Sequence, residues 1–125
     1  MAHMQIGEVA ERTGLSLRTI RFYEEAGLVL PVARTDGGFR LYTDVSVERL
    51  ELIKRVKPLG YSVEEIAEFL DLLDAAAVGA GREELDRLAT IHDDLKDRIS
   101  ALLAKVERAK VLADEVGEVL RSAGQ

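Results

Sequence analysis

The sequence predicts a mainly α fold: a winged helix-turn-helix followed by one long coiled-coil helix. Three observations predict it. Two short segments with helical apolar spacing, closed by Gly14 and Gly27, precede a stretch that opens on Pro31 and turns at Gly37-Gly38. Beyond residue 82, apolar residues recur at alternating spacings of three and four for about five heptads. Charge divides along the same line. Residues 1–60 hold nine Lys/Arg against eight Asp/Glu and residues 61–125 hold eight against fifteen, so the acidic excess of this −6 chain lies in its second half.

The first helix is expected from Gln5 to Arg12, with Ile6, Val9 and Ala10 on its buried face and Gly14 as an αL cap. Ser16 is a good N-cap for a second helix that continues to Ala26. At about 100° per residue, Leu17, Ile20 and Glu24 share one side of it, and Arg18, Arg21, Phe22 and Glu25 the other. Two arginines on one face of a short helix after a glycine turn are the form of a helix that enters the major groove of DNA. A solvated surface helix is the plainer alternative.

Pro31 ends helical structure, and Val32–Arg34 and Phe39–Tyr42 read as strands joined across Thr35-Asp36-Gly37-Gly38. Gly37 and Gly38 supply the positive φ of a tight hairpin. Phe39 and Leu41 are expected to anchor the hairpin on the helices, because an isolated hairpin is marginal. Arg40 and Tyr42 would then face outward, where a cation and a phenol reach phosphate oxygens.

A third helix begins near Thr43 with Val47, Leu50 and Ile53 buried, and ends around Pro58-Leu59-Gly60. The fourth carries the capping box Ser62-Val63-Glu64-Glu65 and the stripe Val63, Ile66, Phe69, Leu70, Leu73. Ala75–Gly81 reads as a small-residue joint. The long seam that follows is Leu85, Leu88, His92, Leu95, Ile99, Leu102, Val106, Ala109, Ala113, Val116 and Leu120. A second copy would bury it, and the seam alone leaves the direction of pairing open. His92 is expected to be a tolerated polar seam residue that helps set register, with no other strong metal ligand beside it. The expected organisation is a DNA-reading unit over 1–74, a joint over 75–81, a dimerisation helix over 82–121 and a tail over 122–125.

Composition excludes much else. The absence of cysteine removes disulfides, thiolate zinc sites, iron–sulfur clusters and thiol switches. No apolar run approaches the roughly 20 residues of a membrane span, and no secretory signal opens the chain, so a cytoplasmic protein is expected. Met1-Ala2-His3 reads as an expression remnant ahead of the fold. There is no Gly-rich phosphate loop, and His3 and His92 lack a paired nucleophile. Neither an enzyme nor a cofactor is expected.

Ile6-Gly7-Glu8-Val9-Ala10, Thr13-Gly14-Leu15-Ser16, Thr19-Ile20-Arg21-Phe22-Tyr23-Glu24, Gly27-Leu28 and Gly38-Phe39-Arg40-Leu41-Tyr42 closely resemble the MerR family of bacterial transcriptional regulators. The likeness continues through Val47-Glu48-Arg49-Leu50 and Leu59-Gly60-Tyr61-Ser62-Val63-Glu64-Glu65-Ile66. It covers residues 5–73 by motif and 82–120 by architecture. The resemblance implies a homodimer joined by an antiparallel coiled coil, with two winged heads in successive major grooves. It implies a pseudopalindromic site in a promoter spacer that is longer than optimal. Bending and untwisting that DNA would bring the promoter elements into phase for RNA polymerase, a readout through deformation. By motif, Arg18 and Arg21 would reach bases and phosphate, Tyr23 a phosphate, and Arg34, Arg40 and Tyr42 the backbone from the wing. Phe22 is left open between packing and reading.

The sequence departs from the family's metal and redox sensors, which place cysteines at the end of the dimer helix. It also carries no large ligand domain after Leu120. An effector, whose identity the sequence leaves unknown, would bind near the 74–82 joint, along the coil, or through a partner protein. The competing reading is an architectural DNA-bending or excisionase-like factor, against which the long dimer helix argues.

Overall fold

The computed structural model of the protein describes residues 3–124; Met1, Ala2 and Gln125, the outer ends of the expected remnant and tail, lie outside the described residues. The elements in order are α1 (Ile6–Thr13), α2 (Leu17–Glu25), β1 (Ala33–Arg34), β2 (Arg40–Leu41), α3 (Asp44–Val56), a 3₁₀ turn (Lys57–Leu59), α4 (Val63–Ala77) and α5 (Arg82–Ala123). The chain divides into two compact units between Asp86 and Arg87.

Local chemistry sets the first unit. α1 closes on Gly14 at φ 75°, where a side chain would be strained. The Ser16 hydroxyl accepts the Thr19 N–H at 3.0 Å and starts α2. Between the two helices, Thr13 Oγ1 donates to the Val9 carbonyl at 2.8 Å and accepts the Leu15 N–H at 3.2 Å. Lys54 Nζ from α3 donates to the Thr13 carbonyl at 2.6 Å, so the turn is held from behind. α3 packs on α1 and α4 packs on α3. Val9, Ile20, Leu28, Val29, Leu50, Ile53, Ile66 and Leu70 are buried and form the core. Arg49 ties two edges together, donating from Nε to the Leu28 carbonyl at 2.9 Å and from Nη1 to Asp74 Oδ2 at 2.8 Å.

The hairpin is shorter than the sequence suggests. β1 and β2 pair antiparallel, with Ala33 opposite Leu41 and Arg34 opposite Arg40. Gly38 takes the positive φ, at 85°, whereas Gly37 does not need it. The Thr35 hydroxyl closes the turn instead, accepting the Phe39 N–H at 3.1 Å. Met4 extends the sheet through an isolated antiparallel bridge to Tyr42, with N···O distances of 2.8 and 2.7 Å.

The Ser62–Glu65 capping box is formed in both directions, at 2.9 and 3.1 Å, and begins α4. Two boundaries move from their expected places. α4 runs through Ala75–Ala77, so the break between helices is confined to residues 78–81. Alanine has the highest helix propensity of any residue, and a run of it continues a helix that other small residues would end. α5 likewise continues to Ala123, beyond the expected end at 121.

The second unit is helical. Its seam residues Ile99, Leu102, Val106, Val116 and Leu120 are exposed along α5, and so are Leu103, Leu112 and Val119 off the seam. His92 lies exposed on the same helix with Nδ1 3.8 Å from Asp93 Oδ1. Among the described residues no helix is long and apolar enough to cross a membrane.

Candidate nucleic-acid interface

α2 presents one face to the core and one to solvent. Ile20 and Tyr23, three residues apart, fill the buried side. Leu17 sits at the margin and stays partly exposed. Arg18 and Arg21 lie on the solvent side, and neither makes a hydrogen bond or ion pair among the described residues. Two unpaired guanidinium groups on an exposed helix face can donate to base edges or phosphate oxygens without first breaking a contact. Phe22 stands beside them, 52% exposed, with its ring centroid 5.6 Å from that of Tyr23.

Tyr23 corrects an expectation. It is a core residue rather than an outward one, because its place next to Ile20 on the helical wheel turns the ring inward. Tyr42 corrects another, and for the opposite strand face. The expected alternation along residues 39–42 is replaced by a gradient: Phe39 is 63% exposed, Arg40 and Leu41 are both half-buried, and Tyr42 is fully buried. Phe39 therefore stands out at the wing rather than anchoring it.

A carboxylate on α2 receives Tyr42 on the inside. Glu24 on α2 has a side chain only 10% exposed, and its two oxygens meet the two polar residues of the strand. Tyr42 donates from its hydroxyl to Glu24 Oε1 at 2.6 Å. Arg40 Nε lies 2.7 Å from Glu24 Oε2 as an ion pair, although this buried nitrogen makes no well-aligned hydrogen bond. Burial first, then the hydrogen bond and charge of Glu24, push the Tyr42 phenol well above its ordinary range, with Arg40 and Arg21 pulling weakly the other way. Sequence reasoning missed Glu24 as a member of the site. The signal was available, since an acid sharing a helix side with Leu17 and Ile20 has to find a buried partner.

Arg40 still faces solvent with about a third of its side chain (35%). A shallow cleft of about 90 Å³ is lined by Arg21 and Arg40 together with Gln5, Ile6, Gly38 and Phe39, so the helix cation and the wing cation border one concavity. Arg34, opposite Arg40 on the sheet, donates from Nη1 to the Gly38 carbonyl at 3.2 Å and is otherwise exposed. Arg18, Arg21, Arg34 and Arg40 thus remain accessible from α2 and the hairpin, while Tyr23 and Tyr42 support them from inside.

Comparison with known proteins places this arrangement. The family model described as MerR HTH family regulatory protein matches residues 4–73, and that described as MerR, DNA binding matches residues 47–108. The HTH-type transcriptional regulator CueR of Salmonella typhi is 34% identical over 110 residues, covering 83% of this chain and 80% of that protein. The HTH-type transcriptional regulator YfmP of Bacillus subtilis is 49% identical over 72 residues, 57% of this chain; the match spans about half (51%) of that relative's length. Among solved structures, PbrR691 of Ralstonia metallidurans in complex with lead(II) superposes with TM-score 0.60 at 31% identity, covering 94% of this chain and 86% of that one. HiNmlR, a MerR family regulator lacking the sensor domain and bound to promoter DNA, superposes with TM-score 0.73 at 24% identity, over 90% and 86% of the two chains, a likeness of fold. Among the described residues no three His, Cys, Asp or Glu side chains converge.

Proposed function

The chain belongs to the MerR family of HTH transcriptional regulators, and on that basis we propose that it binds a pseudopalindromic promoter site as a homodimer. The observation that carries the reading is the pair Arg18 and Arg21, exposed and unpartnered among the described residues on the second helix of the helix-turn-helix. Arg18 reads a base edge in the major groove, and Arg21, Arg34 and Arg40 hold phosphates to either side of it. The accessible apolar residues Ile99, Leu102, Val106, Val116 and Leu120 support pairing of α5 with a second copy. Leu85, Leu88, His92 and Leu95 extend the same seam toward the N-terminal end of the helix.

Antiparallel pairing sets the two heads at opposite ends of the coil, in successive major grooves of one DNA face. Bending and untwisting of the intervening spacer then brings the promoter elements into phase for RNA polymerase. Such a mechanism reads DNA by its deformability as well as its bases. It operates in the cytoplasm, where the chromosome is. Recovery of bound genomic fragments tests the reading. Sites with two half-sites inside long promoter spacers support it, and scattered or recombination-linked sites favour an architectural role instead.

A further inference from the structure

Arg34 and Arg40 are direct cross-strand partners, so two like charges meet on one face of a two-stranded sheet. Such a pair is destabilising unless something neutralises it. Glu24 does so from α2, holding Arg40 Nε at 2.7 Å while its other oxygen takes the Tyr42 hydroxyl at 2.6 Å. A carboxylate this enclosed is only weakly screened by salt, so the pair persists under conditions that dissolve surface ion pairs. The wing cation nearest the helix arginines is therefore partly neutralised before any DNA arrives. Arg18 and Arg21 have no such partner among the described residues.

We propose that Glu24 is a specificity-determining residue that acts through Arg40. It serves as an intramolecular counter-ion that withholds the wing cation from random DNA and aims it where a fitted duplex brings a phosphate to its free edge. This rests on the DNA-binding reading above. Non-specific binding is a count of phosphates neutralised, and each one adds about 0.9 to the slope of log K against log salt. A guanidinium already paired inside the protein contributes less than that on a loosely docked duplex. On a fitted duplex the ordered contact lets the Nη groups engage phosphate while Nε stays on Glu24. The carboxylate thus raises the ratio of specific to non-specific affinity without touching a base.

The test compares Glu24→Gln with Glu25→Gln, which removes the same charge from an exposed neighbour on α2. Salt titrations use a duplex selected from a random pool and an unselected duplex of the same length. Glu24→Gln should tighten binding to the unselected duplex and steepen its slope by up to about 0.9, and should shrink the selected-to-unselected ratio several-fold more than Glu25→Gln does. Arg40→Ala gives a second route that leaves the carboxylate in place. In the otherwise unaltered chain it should lower the slope by about 0.9 on the selected duplex and by much less on the unselected one. Equal behaviour of Glu24→Gln and Glu25→Gln, or equal slope losses for Arg40→Ala on both duplexes, would overturn the counter-ion role while leaving DNA binding intact. A wild-type chain that retains neither duplex would overturn both.

Discussion

The Tyr42 hydroxyl donates to Glu24 Oε1 at 2.6 Å, joining the end of the wing's second strand to the second helix of the helix-turn-helix. The wing is thus fastened to the helix that carries Arg18 and Arg21, and the spacing of their cations is a property of the fold.

Tyr42→Phe keeps the buried ring and deletes the donor, leaving a largely enclosed carboxylate one bond short. A loss of about 1–3 kcal/mol in urea unfolding is expected at neutral pH. The phenol is raised above its ordinary value in the folded chain, so its contribution is fully present below the unfolded pKa of about 10 and fades as pH rises beyond it. The gap between wild type and Tyr42→Phe should therefore be constant from pH 7 to 9 and narrow above pH 10. A gap that widens with alkali would show the tyrosine to be ionised in the fold.

Arg18→Ala should relax sequence preference. If its guanidinium is bidentate to a guanine, about 1–3 kcal/mol of discrimination disappears at one base pair of each half-site. Competition among selected duplexes carrying single base changes measures this, and an unchanged preference profile would remove Arg18 from base readout.

Arg34→Ala should act differently. Among the described residues its guanidinium bonds only a backbone carbonyl within the hairpin, so it is available on any duplex. Binding should weaken alike on selected and unselected DNA, with the salt slope lower by about 1 on both. Loss confined to the selected duplex would make Arg34 a reader of sequence rather than of backbone.

Leu102→Lys places a charge in the middle of the exposed seam of α5. Burial of a leucine contributes about 1.5–3 kcal/mol, twice over in a symmetric dimer, so dimer dissociation should rise by roughly 10²–10⁴-fold. Light scattering at micromolar concentration should report a dimer for wild type and a monomer for the variant. A wild-type monomer would remove the coiled coil from the account.

What could be read in the sequence was whatever is decided within a few residues. Gly14, the Ser16 cap, the Ser62–Glu65 box and the burial of Val9, Ile20, Leu50 and Ile66 all follow from local rules, and the structure contains each of them. Strand alternation is a local rule too, but burial along residues 39–42 rises toward Tyr42 instead of alternating. Phe39 and Leu41 looked like anchors because they are apolar, yet the face toward α2 is chosen by one acid eighteen residues before Tyr42. The outward place of Tyr23 came from the family motif and not from the wheel of α2: an amphipathic tyrosine fits either side, and packing beside Ile20 decides it. Ala75–Ala77 were misread because small residues suggest a joint while alanine itself favours helix. Leu112 and Val119, exposed off the seam, do not follow the heptad pattern.

Two copies of this chain are expected to read one duplex together, each placing α2 in a major groove. Hydroxyl-radical footprinting on a genomic fragment recovered with the protein tests it most directly. Two protected half-sites are expected, related by a pseudo-two-fold axis within a promoter spacer, on one face of the DNA, with altered cleavage at the centre where the spacer is distorted. A single protected half-site with an unperturbed centre would contradict it.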